Sequence, residues 1–302
     1  MKKNIGFYST KLVAMTISIT ALLGCEASSQ QSRTMRHQNF SNVDCFGDQS
    51  RQAQVRKIGI VPQFTAQTIW TKWGPLLSEL GNKTNLCFQI YAERSIPSFE
   101  AQILNGKYDY AYINPIHQVM TKDHYVPLVK NGSSLLSGVI VVHSDSKIET
   151  IHDAEGKDLY LPAPNAFGAS ILVQQEFREH KIKIHPIYVR THTNVYSAVG
   201  KDKEAVGGMI LRTLEKEEVQ QKLNLKTLKR TKQYVPHPFS VHRLIPIHEQ
   251  ELVKSVMLGL AEKPNSAFLL ENVQIPQPVP ANYVEDYMQL ETVISSKSEP
   301  KN

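Results

Sequence analysis

The sequence is poor in the residues that most often announce chemistry. It has three cysteines and two tryptophans, and no Cys-x-x-Cys pair, His-Glu-x-x-His, Gly-x-Ser-x-Gly or Walker-type phosphate loop. Thioredoxin-like redox centres, zinc peptidases, serine hydrolases and phosphate-loop enzymes are therefore set aside. Eleven histidines invite a metal, yet His180/His185 and His237/His242 are each five apart, which suits neither one helix face nor one strand face. No metal, cofactor or catalytic residue is expected, and the chain does not read as an enzyme. A strong excess of one charge is missing too. The formal net charge is +6, but Lys2, Lys3 and Lys11 stand in an N-terminal segment without acids, leaving 31 basic against 28 acidic residues beyond it. That balance gives no reason to expect nucleic acid as a partner. Long apolar runs are also lacking: Leu12 to Leu23 falls short of the roughly 20 residues that cross a bilayer.

What the N-terminus does hold is a targeting pattern. Three lysines, a short apolar stretch and Leu22-Leu23-Gly24-Cys25 read as a lipoprotein signal peptide over residues 1–24, with Cys25 the lipidated residue. The protein is expected in the cell envelope, on the periplasmic side and lipid-anchored. Residues 25–54, rich in Ser, Gln, Asn and Arg and without an apolar period, read as a flexible tether. Cys45 and Cys87 remain; in an exported chain they are a disulfide or two free thiols, because sequence gives no distance between them.

The folded body reads as α/β. Lys57–Val61 is a strand, followed by a helix from about Ala66 to Leu80 with Ile69, Trp73, Leu76, Leu77 and Leu80 at helical spacing and Gly81 as its stop. Strands near 86–91 and 108–113 with a short helix between them imply a parallel sheet. Tyr108, Tyr110 and Tyr112 alternate, so they are expected on one face. Strand-like runs 125–130 and 135–143 follow, the second read as the crossing into another lobe. There the pattern repeats, through a strand at 158–161, a helix from Ala166 to about His180 with Asn165 as N-cap, a strand at 184–190, a short helix near 195–199, a strand at 205–209, a charged helix at 211–223 and a strand at 225–231. The proline-rich 234–239 reads as the return crossing. Helices at 249–261 and 265–271 then pack on the first lobe. The expected division is 55–140 with 240–294 as lobe 1, 141–239 as lobe 2 and 295–302 as a polar tail, each lobe a mainly parallel sheet flanked by helices. Two lobes joined by two crossings leave a cleft, a common ligand site. The start of the 166–180 helix carries small side chains and aligned dipoles, so it can hold an anion.

Four stretches, KIGIVPQFTAQTIWTKWGPLLSELGNKTN, NGKYDYAYINPIHQV, LPAPNAFGAS and THTNVYSAVGKDKEAVGGM, resemble in the same order the phosphate, phosphite and phosphonate binding proteins of ABC transporters. These are type II periplasmic binding proteins, and the resemblance spans about residues 55–270. It implies an anion held between the lobes by Gln63, Phe64 and the neighbouring Thr65, by Tyr112 and Asn114, by the helix start Asn165, Ala166, Phe167, Gly168, Ala169 and Ser170, and by His192. Tyrosine, imidazole and backbone N–H groups suit an oxyanion. Two departures stand out. The family's corner is usually a run of hydroxyls, whereas here only Ser170 has one, and Ala205 stands where an acid is usual, with Glu204 beside it. Phe64, Phe167 and Tyr112 would then line a more apolar pocket for a small organic or anionic molecule. Arg212 and Arg243 read as solvated, and Trp70 and Trp73 as core.

The reading is a monomeric, membrane-tethered binding lipoprotein that presents a small anion to an ABC permease. A ligand-sensing lipoprotein that reports to a membrane signalling partner is the alternative, and a binding fold reused for protein contacts a third.

Overall fold

The computed structural model describes residues 45–50, 52–216 and 224–295; the signal segment and Cys25 lie outside the described residues. No helix among the described residues is long and apolar enough to cross a membrane.

The first lobe opens with β1 (Phe46–Gly47), β2 (Gln54–Ile60), α1 (Ala66–Thr84), β3 (Leu86–Tyr91), α2 (Ile96–Leu104), β4 (Tyr110–Tyr112), α3 (Pro115–Met120) and β5 (Tyr125–Asn131). Each helix begins where a short polar side chain can accept from the first turn: Thr65, Ser95 and Asn114 cap α1, α2 and α3. Helix α1 runs past Gly81 to Thr84, because Asn85 takes the left-handed turn (φ 57°) and returns its N–H to the Gly81 carbonyl. Its apolar stripe, Ile69, Trp73, Leu76, Leu77 and Leu80, is buried on the sheet.

The second lobe holds β6 (Leu136–His143), β7 (Asp158–Leu161), α4 (Val173–Glu179), β8 (His185–Tyr188), α5 (His192–Val199), β9 (Val206–Ile210), α6 (Leu211–Lys216) and β10 (Leu225–Tyr234). The remainder of the charged helix expected to 223 lies outside the described residues. The chain then returns through β11 (Pro238–His242), helices Ile247–Leu260 and Pro264–Asn272, and β12 (Pro278–Pro280). The two α/β lobes are those expected. Each sheet, however, is mixed rather than mainly parallel. Order β1-β3-β2-β4-β11-β5-β12 joins a parallel β3-β2-β4 core to antiparallel β1, β11, β5 and β12, and order β10-β6-β9-β7-β8 joins parallel β9-β7-β8 to antiparallel β6 and β10. The strand that returns from the second lobe, β11, runs antiparallel to both its neighbours, β4 and β5.

The lobe boundaries fall earlier than the sequence suggested. All eight residues of Leu136–His143 are buried, and the strand pairs with β9 and β10 on both sides. It is an interior strand of the second sheet, so the crossings are 132–135 and 235–237, and Phe239 is already paired with Tyr112 in the first sheet. The tether also ends sooner. Cys45 is joined to Cys87 by a disulfide with a Cα–Cα distance of 5.3 Å, Phe46 pairs with Phe88, and the Phe46 ring meets Trp70 edge to face at 5.5 Å. Covalent and apolar contacts therefore fix residues 45–47 to the first lobe.

Two packing features place the cleft. Tyr110 and Tyr112 share a face with Trp73 and Phe239, whereas Tyr108 precedes the strand and packs on Tyr91 and Phe99, so the three tyrosines do not form one row. Glu249 of helix Ile247–Leu260 accepts both Arg56 nitrogens, at 2.9 and 2.6 Å, and the Tyr110 hydroxyl at 2.7 Å, which ties that helix to the first sheet. The C-terminal segment closes over the crossings: Tyr287 is buried with Ile116, Leu136, Phe167 and Val235, and its hydroxyl donates to the Pro236 carbonyl at 3.1 Å.

Candidate functional site

The second-lobe corner differs from a plain capped helix. Strand β7 ends at Leu161, and Phe167–Leu172 forms a π-turn that leads straight into α4. The Ala166 carbonyl accepts from both Ser170 N (2.7 Å) and Ile171 N (3.2 Å), the doubled acceptance that widens a helix by one residue and that recurs at functional sites. Ala166 occupies the cap position and supplies no side-chain bond. Asn165, expected as the N-cap, turns away instead. Its side-chain amide donates to Glu100 Oε1 at 2.7 Å and its carbonyl accepts from Asn114 at 3.0 Å, so its polar groups bridge the lobes rather than cap the helix. Ile96 of the first lobe shares an apolar cluster with Ala163, Ala166, Ala169 and Ile210 of the second; the lobes are in contact at this corner.

A buried polar cluster lies beside it. His237, in the return crossing, meets Gln63 with 2.7 Å between its Nε2 and the amide nitrogen, and stacks on the Tyr112 ring with centroids 5.5 Å apart. Asn114 Oδ1 accepts from His117 N at 2.8 Å, and its amide nitrogen lies 3.3 Å from His117 Nε2. Thr191 caps α5, and the next residue, His192, is 2% exposed. Three side-chain atoms here are buried without a hydrogen-bond partner: His117 Nδ1, His192 Nδ1 and Ser170 Oγ. An unmet buried polar group costs about 1–3 kcal/mol, so such atoms point to a missing occupant. A cavity of about 310 Å³ adjoins the cluster, with Tyr112 and His237 in its wall beside Arg212, Ile210 and Gln274.

Residues 58–287 match the family of periplasmic substrate-binding proteins of phosphonate ABC transporters. The chain belongs to this family. Solved structures share the fold of this phosphonate-transporter binding protein. The binding protein component of an ABC phosphonate transporter from Pseudomonas aeruginosa gives a TM-score of 0.72 at 14% identity, over 81% of this chain and 87% of that one. PhnD1 from Prochlorococcus marinus, solved with methylphosphonate, gives 0.73 at 12% identity, over 82% and 99%. A Xanthomonas citri protein bound to chloride ion gives 0.66 at 15% identity, over 80% and 98%. No curated protein matches the sequence. The protein is thus the periplasmic substrate-binding component of a phosphonate transporter, and not an enzyme.

Within this binding protein the residues expected at the site divide. Gln63, Tyr112 and Asn114 belong to the buried cluster, and His237 carries the charge repulsion of His192 and His117. Phe167 does not face the cavity; it is buried with Ile171, Tyr287 and Leu290 and meets Tyr234 edge to face at 5.4 Å. Phe64 packs on the first-lobe core, with Lys72 Nζ 5.1 Å from its ring centroid, and Thr65 is the cap of α1. Gly168 and Ala169 form the corner's backbone wall: a methyl on Gly168 would come 3.1 Å from Leu136 and 3.2 Å from Ile210, both of which line the cavity. Glu204 does not replace the acid missing at Ala205, because it is exposed and paired with Lys157. Sequence reasoning passed over His117 and His237. Their only sequence signals are the three-residue spacing from the Asn114 cap and a histidine between two prolines.

The electrostatics follow from burial. Desolvation holds His192 down to about 4, and desolvation together with the neighbouring histidines holds His237 down to about 3. Both are neutral at pH 7, which lets His237 Nε2 accept from Gln63. Burial raises the Tyr112 phenol above its ordinary range, and the Arg212 guanidinium opposes that rise. Tyr112 is therefore a neutral donor at any physiological pH, and Arg212 is the fixed cation within its reach.

Proposed function

We propose that the protein captures a phosphonate between its lobes, with the phosphorus oxyanion met by His192 and Ser170 of the second lobe, by Tyr112 of the first and by His237 of the return crossing. The reading is carried by two unpartnered buried atoms, His192 Nδ1 and Ser170 Oγ, together with the cavity that Tyr112 and His237 line; His192 acts electrostatically on His237. A tetrahedral oxyanion supplies acceptors for hydroxyl and imidazole donors, and only contact from both lobes makes the closed state favourable. Methylphosphonate, the ligand of the Prochlorococcus marinus structure, is the first compound to try. At 100 times its dissociation constant it should stabilise the protein by about 2.7 kcal/mol, read as a thermal shift. His192→Ala should weaken binding by roughly 10- to 100-fold, the worth of one to two charge-assisted hydrogen bonds, and Tyr112→Phe by less. A shift with carboxylic acids and none with any phosphonate, phosphite or phosphate would overturn the assignment.

The same reading places the protein, as a monomer, on the periplasmic side of a membrane, held by lipid on Cys25 and delivering its ligand to a permease. Its support is the basic, apolar, Leu-Leu-Gly-Cys order of residues 2–25. Cells fed a labelled fatty acid should carry the label on this protein, and Cys25→Ala should abolish it. Undiminished labelling in that variant would remove the anchor from Cys25.

A further inference from the structure

The cavity beside Tyr112 is larger and differently charged than a phosphonate head group requires. Its wall includes Arg212, Ser134, Ile210 and Gln274. Arg212 donates to Ser134 Oγ at 3.0 Å, and among the described residues no carboxylate pairs with it. The one acid in the wall, Glu215, lies 3.7 Å from Arg230, and both of those side chains are more than half exposed. The wall therefore carries two guanidiniums and one acid, and that acid is paired with Arg230, so Arg212 is left without a carboxylate partner among the described residues. A second observation points the same way. Gln274 is 92% buried, since only 8% of it is exposed, and its amide nitrogen has no hydrogen-bond partner. The residue stands at a helix end with its backbone in the left-handed region (φ 68°), where a side chain is uncommon. A planar guanidinium and an unmet amide N–H together suit a planar carboxylate.

Resting on the phosphonate reading above, we infer that the ligand's organic substituent ends in a carboxylate, received by Arg212 and the Gln274 amide, so that the preferred substrates are carboxyalkyl phosphonates rather than alkyl or aminoalkyl ones. An ammonium at the same place would face Arg212 directly, and Ile210 beside it offers no compensating charge. Tyr112 and His237 stand in the wall of this cavity as well as in the histidine cluster, so one short chain can reach from the oxyanion to the guanidinium.

Isothermal titration of the full protein with methylphosphonate, 2-aminoethylphosphonate and 3-phosphonopropionate tests this. The phosphonopropionate should bind at least tenfold more tightly than either of the others. Arg212→Gln should collapse that ratio to within threefold, and Arg212→Lys should restore a good part of it. Equal affinities for the three ligands, a preference for the aminoethyl compound, or a preference that survives Arg212→Gln would each overturn the inference while leaving the phosphonate site standing. A Gln274→Leu variant gives a second reading, with an expected loss confined to the carboxylated ligand; a uniform loss across all three would assign Gln274 to structure alone. Failure of every phosphonate to bind would overturn both readings together.

Discussion

Taking the unliganded protein from pH 7 to pH 5 is expected to cost it on the order of 2–4 kcal/mol of stability, before its carboxylates begin to titrate. The cause is the pair of buried histidines. In the unfolded chain an imidazole takes its proton near pH 6.5, whereas burial holds His192 to about 4 and His237 to about 3 in the fold. Between those values the unfolded state binds more protons than the native state, so stability is full above about pH 6.5 and falls as the pH drops toward 4 and 3. The window separates this effect from others. Asp145, Asp153, Glu179 and Glu291 also titrate below their ordinary values because lysines, glutamine, threonine, tyrosine or backbone N–H groups hold their charged forms, but their stabilising effect is present above the ordinary carboxylate values and is lost as the pH falls from those values toward the lowered ones. Urea midpoints at pH 7, 6 and 5 measure the slope. His237→Gln, which keeps a polar group near Gln63, should remove about half of it. A flat profile between pH 7 and 5 would mean that the cluster accepts protons without strain. Bound oxyanion favours the charged imidazole, so saturating methylphosphonate should flatten the same profile.

How much of this was readable beforehand depended on whether the information was local. The apolar stripe of α1 is written in neighbouring residues, and that helix falls within a few residues of expectation; the short α3, capped by Asn114, was not expected, because six residues between two strands carry too little periodicity. The second-lobe corner was misread because its competition is not local. By its type Asn165 makes a good N-cap, yet Glu100 and Asn114, which precede it by 65 and 51 residues, take its polar groups when the lobes meet. The crossing into the second lobe was misplaced for a similar reason: only pairing with strands far along the chain reveals that the run 136–143 lies inside the second sheet rather than between lobes. Phe167 has the character of a pocket wall, but Tyr234 and Tyr287 arrive from the end of β10 and the C-terminal segment to bury it. His237 carried no periodic signal because extended, proline-flanked chain has none, and Arg212 looked solvated until Tyr112 and Ser134 were placed beside it.

Substituting Gly208 by alanine is expected to destabilise the protein by about 3 kcal/mol or more, the upper end of what overpacking costs. A methyl there would lie 2.0 Å from the Ala169 carbonyl oxygen and 2.6 Å from Leu161, and one on Gly138 would lie 2.2 Å from the Gly168 carbonyl oxygen. Strands β6 and β9 thus press bare Cα atoms against two successive carbonyls of the π-turn, and that contact sets how deep the corner sits. The neighbouring glycine is different: at Gly207 a methyl meets the side chains of Val199 and Val195 at 2.6 and 3.1 Å, which can rotate or shift where a backbone carbonyl cannot. Gly207→Ala should therefore cost less than Gly208→Ala, by roughly 1 kcal/mol. Gly259, near the end of helix Ile247–Leu260, has nothing within 4 Å of a built methyl, so Gly259→Ala should gain about 0.5–1 kcal/mol from helix propensity alone. Urea unfolding of the three variants gives the ranking, and a Gly208→Ala protein as stable as the parent would show that the corner yields. If it yields, His192 and Ser170 lose their fixed spacing from Tyr112, and the ligand-dependent thermal shift should shrink in Gly138→Ala as well, since both strands hold the same turn.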